Sequence, residues 1–288
     1  MIPNPLTSAT PGRASDRSTN LSATNYSFLQ RYIQAQSGIV IEAEKRYLLE
    51  ARLLPLLRDH NIDSLDGLAF QLAARPSSPL ASLVIEAMTT NETLFFRDSA
   101  MFDALRTHIF PLLFTATGRS RKLRIWSSAA STGQEAYSIA MLLLEMGKTN
   151  RDVEIFGTDL DTQVLARARE ARYPQFDVNR GLPTPYLMKY FSRAGLDWSV
   201  QEHVRSMVQF QKFDLRGDCR SLGTFDLILC RNVLIYFDTP TKRKIVDQMR
   251  SIMTPHAMLV LGCAETILNI HPGFKRITHG NSAFYVST

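Results

Sequence analysis

Apolar residues recur at helical spacing as far as Thr90, and beyond it short apolar runs alternate with helical stripes. From Tyr26, the side chains of Phe28, Leu29, Tyr32 and Ile33 share one face of a helix that should end at Gly38. A second helix begins near Glu42 and carries Tyr47, Leu48, Leu49 and Leu53. Pro55 is expected to end or kink it, because proline lacks an N–H and crowds the preceding turn. Ser64 is placed to cap a third helix (Leu65, Leu68, Ala69, Leu72) that stops before Arg75-Pro76, and Leu80 to Met88 is a fourth. No strand period occurs in this stretch.

After the segment Met88 to Leu105 the pattern changes. Strands are expected at Leu123–Trp126, Val153–Thr158, Val208–Asp214, Phe225–Cys230, Met258–Gly262 and Ala283–Val286, with helices at Glu135–Glu145, Thr162–Arg172 and Pro240–Met253. Such alternation predicts an α/β fold, a doubly wound and mostly parallel sheet. FKRIT and SAFYVST, joined through HGN, should form an antiparallel hairpin at the sheet edge. Residues 173–207 break the alternation with Pro174, Pro183 and Pro185 and fit an inserted small subdomain, with a helix near Pro185–Ser192. Residues 1–24 have little to bury and are expected to be a disordered tail. The expected organisation is then a helical domain at 25–87, a linker at 88–106 and the α/β domain at 107–288.

Composition changes this picture only at the margins. The 288 residues are 45% hydrophobic and 21% charged, in keeping with a globular protein. There is neither a long apolar run for a membrane span nor an apolar signal core, so cytoplasmic localisation without membrane insertion is expected. Cys219, Cys230 and Cys263 are scattered without metal spacing, so no metal is expected. The formal charge is +6, yet the stretch up to Thr90 holds eight basic and eight acidic residues, so the excess lies beyond it. No dense Lys/Arg stripe interleaves with aromatics, which argues against nucleic acid. Arg46, Arg52 and Arg58 on the second helix form a basic stripe, read equally as solvated surface or as a docking face.

The candidate chemistry gathers where an open α/β sheet binds ligands, beyond the carboxyl ends of its strands. After the first strand comes the small-residue loop SSAASTG, then Glu135 in the first turn of a helix. Small residues admit a ligand to the backbone, and helix starts present unpaired N–H groups. A carboxylate there repels phosphate, so the ligand should offer positive or neutral polar groups. Asp159 ends the second strand, 26 residues beyond Gly133, where an acid can accept from both hydroxyls of a ribose. Phe213-Asp214-Leu215 follows the third strand, offering a polar edge and an apolar contact to a base; Arg231, Asn232 and Tyr236 follow the fourth. Each alone has a plain structural reading as a cap, a tight turn or an ion pair. Together they describe a nucleoside with a cationic amino acid end and no phosphate, which is S-adenosylmethionine.

The motifs TTNETLFFRD, WSSAASTGQEAYSIAM, FGTDLDTQVLARAR and FDLILCRNVLIYF, in that order, resemble those of CheR-type chemotaxis receptor methyltransferases, from about Asn25 to the C-terminus. The resemblance implies a Rossmann-like class I methyltransferase domain behind a small all-helical domain. It implies S-adenosylmethionine-dependent methylation of glutamate side chains on the cytoplasmic helical region of chemoreceptors, with S-adenosylhomocysteine as product. It carries cofactor contacts onto Asn91, Thr93, Arg97, Glu135, Asp159, Asp214, Leu215, Arg231 and Asn232, and puts Tyr236 near the transferred methyl; Arg97 and Arg231 are further catalytic candidates.

Two positions depart from the family pattern. Ala136 stands where proline is common. The insertion is also a few residues shorter than in enteric members, so no C-terminal pentapeptide tether is expected; a monomer is expected. Rival readings are the same transfer to a receptor of a non-chemotaxis pathway, and a non-catalytic S-adenosylmethionine-binding regulator. A nicotinamide oxidoreductase fits poorly, since the first loop lacks GxGxxG.

Overall fold

The computed structural model describes residues 21–118 and 120–288. All but the last few positions of the expected tail lie outside them; of those last few, Leu21 is buried and the first helix starts at Ala23. Packing divides the described residues into two units: one takes residues 21–32 together with Ile41–Met88, the other Ile33–Val40 with Thr89–Thr288.

The first unit is helical, from α1 (Ala23–Ser37, whose last turn belongs to the second unit), α2 (Arg46–Asp59), α3 (Leu65–Ala74) and α4 (Pro79–Met88). Ser64 caps α3, its Oγ accepting from the Gly67 N–H at 3.0 Å. Pro55 does not end α2, which continues to Asp59. Leu49, Leu53 and Leu57 form one fully buried stripe across the proline. Three such burials, each worth about 1.5–3 kcal/mol, outweigh an interior proline's cost of about 3 kcal/mol. The arginine stripe is partly engaged: Arg46 pairs with Glu50 at 2.9 Å, Arg52 donates to the Met88 carbonyl, and Arg58 is exposed.

The second unit opens with α5 (Ser99–Ala104), a π-helical turn (Leu105–Ile109) and α6 (Phe110–Thr117). The alternation then follows: β1 (Leu123–Ser127), α7 (Gln134–Glu145), β2 (Val153–Asp159) and α8 (Thr162–Glu170). Ala171 is left-handed and ends α8 short of Arg172, which begins β3 (Arg172–Pro174). The insertion continues with α9 (Gln175–Val178), α10 (Thr184–Tyr190), β4 (Phe191–Ala194), β5 (Asp197–Val200) and α11 (Glu202–Arg205). Its strands form a separate antiparallel sheet in the order β3-β5-β4. The main sheet resumes with β6 (Val208–Lys212), β7 (Phe225–Cys230), α12 (Thr239–Ser251), β8 (Met253–Leu261), β9 (Phe274–His279) and β10 (Ser282–Ser287).

The seven strands lie in the order β6-β2-β1-β7-β8-β10-β9, with β6 to β8 parallel and β10 antiparallel to both its neighbours. Successive β1 side chains enter opposite cores. Ile125 packs with Tyr137 and Ile139 of α7, and Trp126 with Ile245 and Met249 of α12. Every β7 residue is buried, as a central parallel strand covered on both faces requires. The strand order reverses between β1 and β7, and a crevice opens at such a switch point, outside the strands' carboxyl ends. Among the described residues no helix is long and apolar enough to cross a membrane, and no group of three or more His, Cys, Asp or Glu could hold a metal.

Candidate functional site

The crevice at the ends of β1, β2 and β7 is a cleft of ≈ 970 Å³, counting the solvent at its mouth. Asn91, Thr93, Arg97, Glu135, Asp159, Asp214, Leu215, Arg231, Asn232 and Tyr236 all line it, so the fold brings every residue expected at the site to one place.

The loop Ser128–Gly133 is shaped from both sides. The Ser128 N–H donates to Leu229 O and the Ala130 N–H to Thr158 O, each at 2.9 Å. Ser131 and Gly133 are left-handed. At Gly133 (φ 95) a side chain would also crowd Ala168, Phe210 and Tyr137, so glycine serves both the turn and the packing. The loop delivers the chain into α7 with Glu135 in the first turn.

Glu135 is not a bare acid. Its carboxylate accepts from Ser127 Oγ at 2.7 Å and from Arg231 Nη1 at 2.9 Å. Arg231 in turn donates from Nη2 to the Arg97 carbonyl at 2.9 Å and lies 3.5 Å from Asp98. Its side chain is only 4% exposed, so the guanidinium acts as a buried strut tying the end of β7 to α7 and to the linker. Phe96 and Asp98, on either side of Arg97, are both left-handed without being glycine, conformations that persist only where surrounding contacts enforce them.

Asp159 accepts from the Ser131 N–H at 2.8 Å and the Asp161 N–H at 3.0 Å. Burial pushes its carboxyl above the usual aspartate range despite those hydrogen bonds. Asp161 caps α8 and also receives Asn91 Nδ2 at 2.8 Å, while Ser131 Oγ donates to the Asn91 carbonyl at 2.7 Å. The linker is thus fastened to two strand-end loops. Asp214 is held by Arg216, Nη2 to Oδ2 at 2.6 Å, and Arg216 also takes the Ala35 and Gln36 carbonyls at the end of α1. Tyr236 ends a 3-10 turn, half-buried, and its backbone carbonyl accepts from the Val40 N–H at 2.9 Å.

Ser37 and Ile39 also line the cleft, a contribution that no pattern in the sequence signals. Glu265, in the loop after β8, was likewise not legible: its carboxylate collects backbone N–H groups from the loop after β7. Only its place just beyond a strand's carboxyl end could have marked it.

The lining fits S-adenosylmethionine. Glu92, Glu135, Asp159 and Asp214 line the cleft; Glu92 pairs with Arg180, Glu135 with Arg231 and Asp214 with Arg216, so the acids are largely balanced. The lining offers carboxylate oxygens to hydroxyl and ammonium groups, with no lysine among its residues for a pyrophosphate. Phe213, Leu215 and Phe237 supply apolar wall. Among the described residues, Arg231 Nε is buried without a hydrogen-bond partner.

A doubly wound sheet with this cleft at its switch point defines a Rossmann-like S-adenosylmethionine-dependent methyltransferase. The family described as CheR methyltransferase, SAM binding domain, matches residues 91–282, and its all-alpha domain matches 24–89. Chemotaxis protein methyltransferase 1 of Pseudomonas aeruginosa is 37% identical over 265 residues, covering 89% of this chain and 96% of that protein. Chemotaxis protein methyltransferase Cher2 of Pseudomonas putida is 36% identical, covering 85% and 91%. The chain therefore belongs to the CheR family of S-adenosylmethionine-dependent chemotaxis methyltransferases. Among solved structures, a TehB-like SAM-dependent methyltransferase of Corynebacterium glutamicum matches at TM-score 0.38 and 13% identity over 66% of this chain and all of that one.

Proposed function

We propose that the protein methylates glutamate side chains on the cytoplasmic helical region of chemotaxis receptors, giving glutamate methyl esters and S-adenosylhomocysteine. The observation that carries this reading is the gathering in one cleft of all ten residues expected at the site, in a chain whose relatives are named chemotaxis protein methyltransferases. The protein works as a cytoplasmic monomer, without a receptor pentapeptide tether, nucleic acid or membrane insertion.

In this reading Glu135 holds the cofactor's ammonium group, and Arg231, paired with Glu135, fixes that side chain's carboxylate in place. Asp159 accepts from the ribose hydroxyls, Asp214 and Leu215 meet the adenine, and Asn91, Thr93 and Asn232 complete the enclosure. When bound, the cofactor supplies an electrophilic methyl on a sulfonium. The acceptor glutamate is already ionised at neutral pH, with a reference pKa of about 4.3, so no general base is required. What the chain supplies is alignment and exclusion of water, which can account for roughly 7–11 kcal/mol of barrier. Arg97 steers the incoming carboxylate, and Tyr236 orients it or packs its ring against the cationic sulfur. Each transfer removes one negative charge from the receptor helix.

The test is mass spectrometry of receptor fragments incubated with enzyme and cofactor. Peptides should gain the mass of one methylene per transfer, at glutamate. Unmodified fragments, with cofactor binding intact, would exclude this acceptor.

A further inference from the structure

The loop that follows β7 turns sharply at the cleft. Arg231 is followed by Asn232 in a left-handed conformation (φ 57), and the 3-10 turn that ends in Tyr236 comes next. A turn of this kind leaves its backbone N–H groups pointing away from the strand ladder, and buried ones must find acceptors elsewhere. Here they find one carboxylate. Glu265 Oε2 accepts from the Asn232 N–H at 2.7 Å and the Gly262 N–H at 2.8 Å. Its Oε1 accepts from the Val233 N–H at 3.0 Å and the Ile235 N–H at 3.3 Å. Four donors from two loops therefore converge on one side chain.

The fit leaves no slack. A side chain on Gly262 would come within 2.7 Å of Glu265 Oε2 and 2.8 Å of Asn232 Nδ2. The loop after β8 is thus glycine where it passes the loop after β7, and acidic where it grips it. Arg231 has a separate anchorage in Glu135 and the Arg97 carbonyl. Residues Asn232 to Ile235 have Glu265.

We infer that Glu265 is a positioning residue for methyl transfer: by fixing the Asn232–Ile235 backbone it sets where Tyr236 stands in the cleft. The inference rests on the assignment of Tyr236 to the reacting end of the site. Glu265 acts through the loop and touches no reactant. Its charge suits the task, because both oxygens must accept. A glutamine keeps the shape but turns an amide NH2 toward one pair of N–H donors whichever way it is flipped.

The test compares E265Q, E265D and E265A in the full-length protein. Three quantities are read: kcat on a receptor fragment at saturating cofactor, calorimetric affinity for S-adenosylhomocysteine, and amide hydrogen exchange at residues 232–235. E265Q and E265A should lower kcat by about 10- to 100-fold, the scale of a small misplacement of a reacting group. Affinity should change far less, exchange at residues 232–235 should accelerate, and E265D should recover part of the rate. A folded E265Q that keeps both wild-type kcat and slow exchange would overturn the inference. So would a loss of rate that only follows a loss of cofactor affinity. If wild-type protein methylates no receptor fragment, the acceptor assignment fails instead; unchanged exchange in E265Q would then still refute the role of Glu265.

Discussion

Asp159 shows how one residue carries opposing demands. Its carboxylate is buried at the end of β2, which raises its pKa above the ordinary 3.8, and two backbone N–H groups only partly compensate. A folded-state pKa above the unfolded value means that the ionised group costs the empty protein stability at neutral pH. That cost is relieved as pH falls through the raised pKa. In the proposed reading, where Asp159 accepts from the ribose hydroxyls, cofactor binding has the reverse sign, since the ionised form is the better acceptor. Affinity should therefore fall on acidification at a higher pH than an ordinary aspartate would dictate, over the window in which this group's stability cost diminishes. Titration calorimetry across mildly acidic pH, with and without Asp159→Ala, checks this. The variant should lose roughly 1.5–3 kcal/mol of cofactor affinity, the worth of hydrogen bonds to a charged group, together with the acidic fall. Tyr236 poses a simpler question. Its hydroxyl has no hydrogen-bond partner among the described residues, so Tyr236→Phe should spare stability and cofactor affinity while lowering kcat; steady-state kinetics with an unchanged kcat would leave only the ring with a role.

At the scale of elements, the linker matters as much as the strands. Asn91 faces both ways: its amide donates to Asp161 and its carbonyl accepts from Ser131, so one residue fastens the linker to the loops after β1 and β2. Asn91→Ala should remove the amide contact while keeping the carbonyl one. The cofactor should then bind more weakly, by about 1 kcal/mol for one hydrogen bond, with little change in melting temperature; equal affinity by calorimetry would make the clamp purely structural. The periodicity of α8 and α12 was readable because each buries a stripe against the sheet, whereas α7, buried over most of its surface, was readable from its nearly unbroken apolar run. The ends of elements were less so. Pro55 lies inside α2 because packing on the far side of the helix outweighs a local preference, and α8 stops at Ala171, where no glycine or proline announces a stop.

For the whole molecule, the proposed function raises the question of which surface would meet a receptor. Arg58 is the exposed member of the α2 stripe, whereas Arg46 and Arg52 already hold partners within the first unit. If the stripe meets an acidic receptor helix, Arg58→Glu should raise KM for receptor fragments several-fold, more at low salt than at high salt, with cofactor affinity unchanged. A KM that ignores both charge and salt would return the stripe to solvated surface.

Sequence alone determined the class of sheet, the order of its elements, the small-residue loop with its acid, and the ligand that such a site prefers. These follow from local rules: the period of apolar burial, and the placing of polar residues just after apolar runs. Only tertiary structure decided that Glu135 and Arg231 share one buried charge network, and that Arg216 holds Asp214 while gripping the end of α1. It alone brought residues 33–40 to the α/β unit and set Glu265 beneath the Asn232 turn. Apart from the local Arg216–Asp214 pair, two residues apart, those partners stand between 33 and 181 residues apart in the chain. No periodicity reports such a pairing, because it depends on which strand ends the fold sets side by side.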